Sequence, residues 1–139
     1  MRHHIVLRVA AKLLIPLILV FALYVQFHGD FGPGGGFQAG VIFGAGLILY
    51  GLIFGVRRLD QVVSPDAVRF LTAAGAFLYA SVGIFSMLLG GNYLDYDVLA
   101  ASPTVGQHLG ILLIELGVGT TVAAVMICLF TAFAKRKRV

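Results

Sequence analysis

The chain has 139 residues, of which 60% are hydrophobic and only 12% charged, and its mean hydropathy is +1.00. Soluble domains are roughly half apolar and a quarter charged, so this composition excludes a water-soluble globular enzyme and a disordered segment. A single cysteine also excludes a disulfide-stabilised secreted module. The formal net charge of +4 could suggest nucleic-acid binding, but the placement of the basic residues argues against it. We expect an all-α membrane protein.

Four stretches are long and apolar enough to cross the hydrocarbon core, which takes about 20 residues of helix. The first span carries basic residues only in its first two turns. Its apolar run is too long for the core of a signal peptide and no small-residue cleavage site follows it, so it is not predicted to be a signal peptide. The second and third carry no charge, and the fourth contains one acid, Glu115. Together they predict one four-helix transmembrane domain over 1–139, with spans at about 5–27, 37–56, 70–89 and 109–134.

The basic residues predict the orientation of these spans. The two segments that hold Asp30, Asp95 and Asp97 carry no Lys or Arg, whereas four spans place every basic residue on the other side. By the positive-inside rule that side is the cytoplasm, so both termini are predicted to be cytoplasmic. The terminal Lys-Arg-Lys-Arg run is interpreted as a topology anchor that contacts lipid headgroups rather than nucleic acid. The basic residues are Arg2, Arg8, Lys12, Arg57, Arg58, Arg69, Lys135, Arg136, Lys137 and Arg138.

Small residues recur at helical spacing on three of the spans. In lipid, such stripes allow helix backbones to approach closely. The stripes predict that the four helices pack together as a bundle. Because there are several such flat helix faces and little of the chain lies outside the membrane, they also favour a component of a larger assembly. The stripes are Gly40, Gly44, Gly51 and Gly55; Thr72, Ala76 and Ala80; and Gly106, Gly110, Gly117 and Thr121.

The segment from His28 to Gly40 is the most unusual part of the sequence. It has no Lys-Ser/Thr after its glycines and follows no strand, so it is neither a Walker A loop nor a dinucleotide fingerprint. Pro33 fixes φ, and the three glycines that follow permit conformations that other residues resist. The segment predicts a tight turn that leads into a helix at Phe37, and the simplest interpretation is a structural turn between two spans. The turn and helix-start motif consists of Pro33, Gly34, Gly35, Gly36 and Phe37.

This segment also carries a family resemblance. The run Phe27-His28-Gly29, the Pro33–Phe37 motif and Ala39-Gly40 resemble the signature of the MrpB (MnhB) subunit of multisubunit Mrp-type cation/proton antiporters. The stretch 110–119 is similar to that family's last helix, so the resemblance covers nearly the whole chain. It implies a multi-pass subunit in the plasma membrane of a prokaryote, in a hetero-oligomeric complex with the other Mrp subunits. That complex is related to the membrane arm of respiratory complex I and exchanges internal Na⁺ for external H⁺.

Three residues are candidates for an ion or proton path. Glu115 is the only acid within a span, and intramembrane carboxylates are costly and usually handle protons or cations. The alternative is a structural Glu115, protonated and hydrogen-bonded to a neighbouring helix. His108 lies seven residues before Glu115 on the same helical face, about 10 Å further out. His28 is expected at the same outer level, either in proton transfer or anchoring the turn, and Gln26 in a polar patch nearby.

The sequence predicts no catalytic, metal-binding or cofactor-binding site. It contains no metal-site spacing, no pair of nucleophile and base, and no cofactor motif, so we expect no catalytic residue, metal, cofactor or enzymatic activity.

The leading hypothesis is therefore a non-enzymatic subunit of a Na⁺/H⁺ antiporter, which supports assembly and lines part of an ion path. A self-sufficient four-helix transporter, acting as a homodimer around a membrane carboxylate, is the alternative. Such a transporter needs an acid early in the chain within an aromatic pocket, whereas Glu115 lies in the last span among Gly, Ile, Leu and Val. A third hypothesis is an assembly or lipid-interface protein in which Glu115 is only structural.

Overall fold

The computed structural model describes residues 4–29 and 34–136, and in these two ranges the protein contains helices and no strand. Four of the helices, α1, α2, α4 and α5, are long and apolar enough to cross a membrane, which confirms the predicted all-α fold with four spans. The elements in order are α1 (Ile5–His28), α2 (Gly36–Phe54), α3 (Val56–Val62), α4 (Pro65–Leu88), a 3₁₀ turn (Tyr96–Leu99) and α5 (Pro103–Arg136).

Two of the helices begin earlier in the chain than the apolar stretches suggest, because capping residues precede those stretches. The Ser64 hydroxyl accepts a hydrogen bond from the backbone N–H of Ala67 (3.2 Å), and Pro65 occupies the first helical turn, where its missing N–H is not needed. α4 thus begins at Pro65 rather than near residue 70. α5 begins in the same way at Pro103, six residues before the predicted start of the fourth span.

The second span ends at Gly55, whose φ of 102° lies in the left-handed region that favours glycine. α2 therefore stops at Phe54 and does not reach residue 56. The chain turns into the short helix α3, where Leu59 is completely buried while Arg57 and Arg58 are exposed. α3 is an amphipathic connector that closes one end of the helix assembly.

The long helices pack in the order α1–α2–α5–α4. Glycines bring their backbones together: a Cβ added to Gly40 of α2 would lie 2.6 Å from the carbonyl oxygen of Gly119 in α5. Gly75 of α4 meets α5 in the same way, since its Cβ would lie 2.7 Å from the carbonyl oxygen of Gly117. Gly40, Gly44 and Gly51 of the predicted α2 stripe therefore pack against neighbouring helices, whereas Gly55 ends α2 and a Cβ there would meet none of the described residues within 4 Å. The contact from α4 is made by Gly75, which lies outside the predicted stripe.

The segment between α4 and α5 folds back over the start of α5. The ring of Tyr96 lies against Gly110 and its backbone carbonyl lies against Gly106. Burial, followed by the nearby phenols of Tyr79 and Tyr93, raises the pKa of Tyr96 above its ordinary value. The first two glycines of the predicted α5 stripe thus contact a connecting segment rather than another span.

The described basic residues gather at the end of the molecule that carries α3, which we call the basic end. Lys135 of α5 forms an ion pair with Asp60 of α3 (2.9 Å), and the guanidinium of Arg8 in α1 lies 5.7 Å from the ring centre of Phe54. A cluster of buried side chains packs between this end and the middle of the helices; it consists of Leu47, Leu59, Val68, Ala124 and Ile127. Most other large apolar side chains are exposed, as a lipid environment requires.

Candidate functional site

Glu115 lies deep along the longest helix. It follows the first residue of α5 by 12 positions, which corresponds to about 18 Å along the helix axis. The sequence predicted only six residues of helix before it, because the apolar stretch begins later than the helix does. The Glu115 side chain is half-buried, and it lies where the α1–α2 connection meets α5.

Glycine backbone surrounds the carboxylate of Glu115. A Cβ added to Gly29 would lie 2.7 Å from each carboxylate oxygen, and one added to Gly35 would lie 3.2 Å from Oε1. A Cβ on Gly36 would collide with the backbone carbonyl oxygen of Glu115 itself. We call Gly29, Gly35 and Gly36 the glycine seat. A side chain at any of these positions would press against Glu115.

The described part of the glycine-rich motif folds onto the last turn of α1. The N–H of Gly35 donates a hydrogen bond to the carbonyl of Val25 (3.4 Å), and a Cβ on Gly34 would lie 2.8 Å from the same oxygen. Gly35 has a φ of 133°, so this position favours glycine for its backbone conformation as well as for space. α2 starts at Gly36, and the Phe37 side chain next to it is 63% exposed. Pro33 lies outside the described residues.

The seat also places Glu115 at the N-terminus of α2. Gly35 is the residue that precedes the first helical residue of α2, and the first backbone N–H groups of a helix have no partner within the helix. These groups carry partial positive charge and attract anions. The structure therefore sets an acidic side chain from α5 against the end of a second helix whose dipole favours negative charge.

The two candidate histidines belong to different helices, α1 and α5. His28 is the last residue of α1, directly before Gly29, and its ring stacks on Tyr24 with 5.0 Å between ring centres. His108 is exposed in the second turn of α5, two turns before Glu115. The structure thus places His28 next to a seat residue along the chain, whereas His108 lies towards the start of α5.

The environment of the Gln26 side chain differs from the one expected from the sequence. Its side chain is not part of a polar patch at the surface but is 6% exposed, and a Cβ on Gly119 would lie 2.5 Å from its Oε1. Its amide nitrogen Nε2 is buried and has no hydrogen-bond partner among the residues that the structure describes. Sequence reasoning also missed Gly29, which approaches both carboxylate oxygens of Glu115.

The described residues bring to the seat the carboxylate of Glu115 and the amide of Gln38, whose Oε1 would lie 3.4 Å from a Cβ on Gly35. Within 4–29 and 34–136, no three His, Cys, Asp or Glu side chains lie close enough together to hold a metal ion. A carboxylate held by glycine backbone, at a helix N-terminus and within a membrane span, can take up and release a proton where water or a polar group reaches it.

Comparisons with known proteins agree with the resemblance noted in the sequence. Residues 6–128 match a family model described as a domain related to the MnhB subunit of Na⁺/H⁺ antiporter. The protein named "Putative antiporter subunit mnhB2" of Staphylococcus aureus strain Newman is 35% identical over 128 residues, which cover 90% of each chain. Its counterparts in strains JH1 and COL match to the same extent.

These names describe an antiporter subunit, so they give no support to a self-sufficient transporter that acts as a homodimer, and they concern transport rather than catalysis. With four helices able to span a membrane and bacterial relatives of this kind, the chain is a multi-pass protein of the prokaryotic plasma membrane. The matches cover most of its length, and the chain belongs to the family of domains related to the MnhB subunit of Na⁺/H⁺ antiporters.

Proposed function

We propose that this chain is a non-enzymatic subunit of a multisubunit Na⁺/H⁺ antiporter, and that Glu115 exchanges protons on the ion path of that complex. The observation that carries the proposal is the glycine seat, in which backbone from the end of α1 and the start of α2 is shaped around one intramembrane carboxylate. The other antiporter subunits, Na⁺, H⁺ and membrane lipids are the partners that this function requires.

The competing proposal is that Glu115 only holds the α1–α2 connection against α5. Packing alone would be served by an apolar side chain, which avoids the cost of placing a carboxyl group within the membrane. The position at the N-terminus of α2 favours a negatively charged carboxylate over a neutral packing group. The two proposals predict different effects on antiport when the side chain at position 115 can no longer gain or lose a proton.

Two substitutions separate them, measured as Na⁺/H⁺ antiport in everted vesicles that contain the whole complex. Gln keeps the shape and hydrogen bonding of Glu but does not titrate. We expect Glu115→Gln to leave the complex assembled while it lowers antiport or shifts its pH profile. Glu115→Ala leaves a cavity beside the seat, and we expect it to impair assembly as well. Full antiport with an unchanged pH profile in Glu115→Gln would leave Glu115 a packing residue and the chain a scaffold.

We also propose that the basic end faces the cytoplasm and the seat lies towards the external side. The support is the distribution of Lys and Arg, together with the contacts that bring Arg8 and Lys135 to one end. In a Cys128→Ala background, we expect Asp95→Cys to react with a membrane-impermeant maleimide in intact cells. Arg57→Cys is the control and should react only after the cells are opened. The reverse pattern would contradict the orientation.

A further inference from the structure

A groove runs between α1 and α4, across the faces of α2 and α5. It has a volume of about 320 Å³, and its lining is almost entirely apolar. Leu23 of α1 and Leu71 of α4 form opposite walls and are 50% and 40% exposed, so the groove is open to the surroundings. Its floor consists of small residues from the two central helices: Ala39, Gly40, Gly119, Ala123 and Ala124.

Gln26 contributes the unusual group in this groove. It lines the groove from α1, its side chain is more than nine-tenths buried, and Nε2 finds no hydrogen-bond acceptor among the described residues. An unsatisfied donor in an apolar environment is costly, and more so in lipid, where no water is present to replace the partner. Nε2 is itself covered in this structure, so the Gln26 amide has to turn towards the groove to meet an acceptor there.

The floor of the groove beside Gln26 favours a helix as the source of that acceptor. The Gln26 side chain packs on Gly119, which lies 16 residues after the start of α5 and 17 before its end, or about 24 Å along the helix from Pro103. A floor of glycine and alanine is the surface on which helices approach closely within membranes.

We infer that this groove is the docking site for one transmembrane helix of another antiporter subunit, which presents a hydrogen-bond acceptor to Gln26. The α5 residues that line the groove run from Leu116 to Ile127, about 16 Å or three turns, which suits one helix laid along it. The acceptor is a hydroxyl, side-chain carbonyl or carboxylate on an otherwise apolar helix face. The inference rests on the proposed function, since it needs the chain to work within a complex.

Photo-crosslinking in membranes that contain the whole complex tests the occupant. A photoreactive phenylalanine replaces Leu23 or Leu71, and Leu17 of α1 and Phe77 of α4, which are exposed but lie outside the groove lining, serve as matched controls. We expect both groove positions to crosslink to the same other subunit and the controls not to give that adduct. Adducts with lipid alone, or with a second copy of this chain, would overturn the inference.

Removing the donor tests the role of Gln26. We expect Gln26→Leu to weaken the crosslink from Leu23 and Leu71 and to reduce the partner that co-purifies by about threefold, the typical effect of one hydrogen bond between membrane helices. In the isolated subunit the same change removes an unsatisfied group, so its thermal unfolding temperature should stay the same or rise. Gln26→Met, which keeps the length of the side chain, is the second variant and should behave alike.

Unchanged crosslinking and co-purification in both Gln26 variants would overturn the role of Gln26 and with it the inference. The proposed function fails separately: it is contradicted if the wild-type chain co-purifies with no other subunit at all. If the chain co-purifies with its complex but the groove crosslinks only to lipid, the docking site alone is wrong.

Discussion

The two ends of this protein are held together by different kinds of contact. At the glycine seat, the backbone of Gly36 in α2 meets the backbone of Glu115 in α5 directly, while Gly29 and Gly35 lie against the half-buried carboxylate of Glu115. At the basic end, helices meet through side chains: the Lys135–Asp60 ion pair, the Arg8–Phe54 contact and the buried Leu59. Backbone contacts cannot adjust to an extra atom, whereas long side chains can. The seat should therefore tolerate far less substitution than the basic end.

The largest effect is expected from Gly36→Ala. The added Cβ would collide with the carbonyl of Glu115, and because this oxygen belongs to helix backbone, α2 and α5 would have to separate. Overpacking of this kind costs about 3 kcal/mol, to be measured as the free energy of unfolding of the subunit in detergent. Gly90→Ala is the control: its φ of 91° is strained for alanine, but nothing lies within 4 Å, so about 1 kcal/mol is expected. Equal losses in the two variants would contradict the steric account of the seat.

A smaller and reversible effect is expected from Gly29→Ala. Here the added Cβ meets the carboxylate oxygens, which belong to a side chain that can move, so stability should fall by about 1 kcal/mol while antiport falls clearly. Glu115→Asp withdraws the carboxylate by one methylene and should restore part of the stability in the double variant. A double-mutant cycle measures this coupling. Strictly additive losses would show that Gly29 and Glu115 do not interact.

The smallest effect is expected at the basic end. In the Lys135–Asp60 pair the side chains are 49% and 26% exposed, and such surface ion pairs contribute at most about 1 kcal/mol. We expect Lys135→Ala to lower the free energy of unfolding by about 0.5 kcal/mol, and by less at high salt because ions screen the pair. Lys135→Arg keeps the charge and should be neutral. A loss as large as that of Gly36→Ala would abolish the distinction between the two ends.

The fold was largely predictable because the bilayer imposes it. Uninterrupted apolar stretches of about 20 residues have few alternatives to spanning helices, and Glu115 stands out as the one acid within them. The early starts at Pro65 and Pro103 carry a local signal, a serine followed by a proline, which the apolar stretches alone did not reveal.

The seat could not be predicted in the same way. Gly29 and Gly36 meet Glu115 only at one particular shift of α1 and α2 along α5. This shift is set by packing between residues about 80 positions apart in the sequence. The burial of Gln26 against Gly119 depends on the same shift. In the sequence, Gln26 near the end of an apolar span is equally typical of a residue at the membrane surface.

The depth of Glu115 along α5 has an electrical consequence. One elementary charge that crosses the whole membrane exchanges about 2.3 kcal/mol with the field for each 100 mV of membrane potential. A proton that travels from one surface and stops at Glu115, some 18 Å along a helix that spans the membrane, traverses only part of that field. Under the proposed proton role and orientation, the occupancy of Glu115 by a proton depends on voltage as well as on pH, and a membrane potential that is negative inside draws protons from the external side towards the glycine seat.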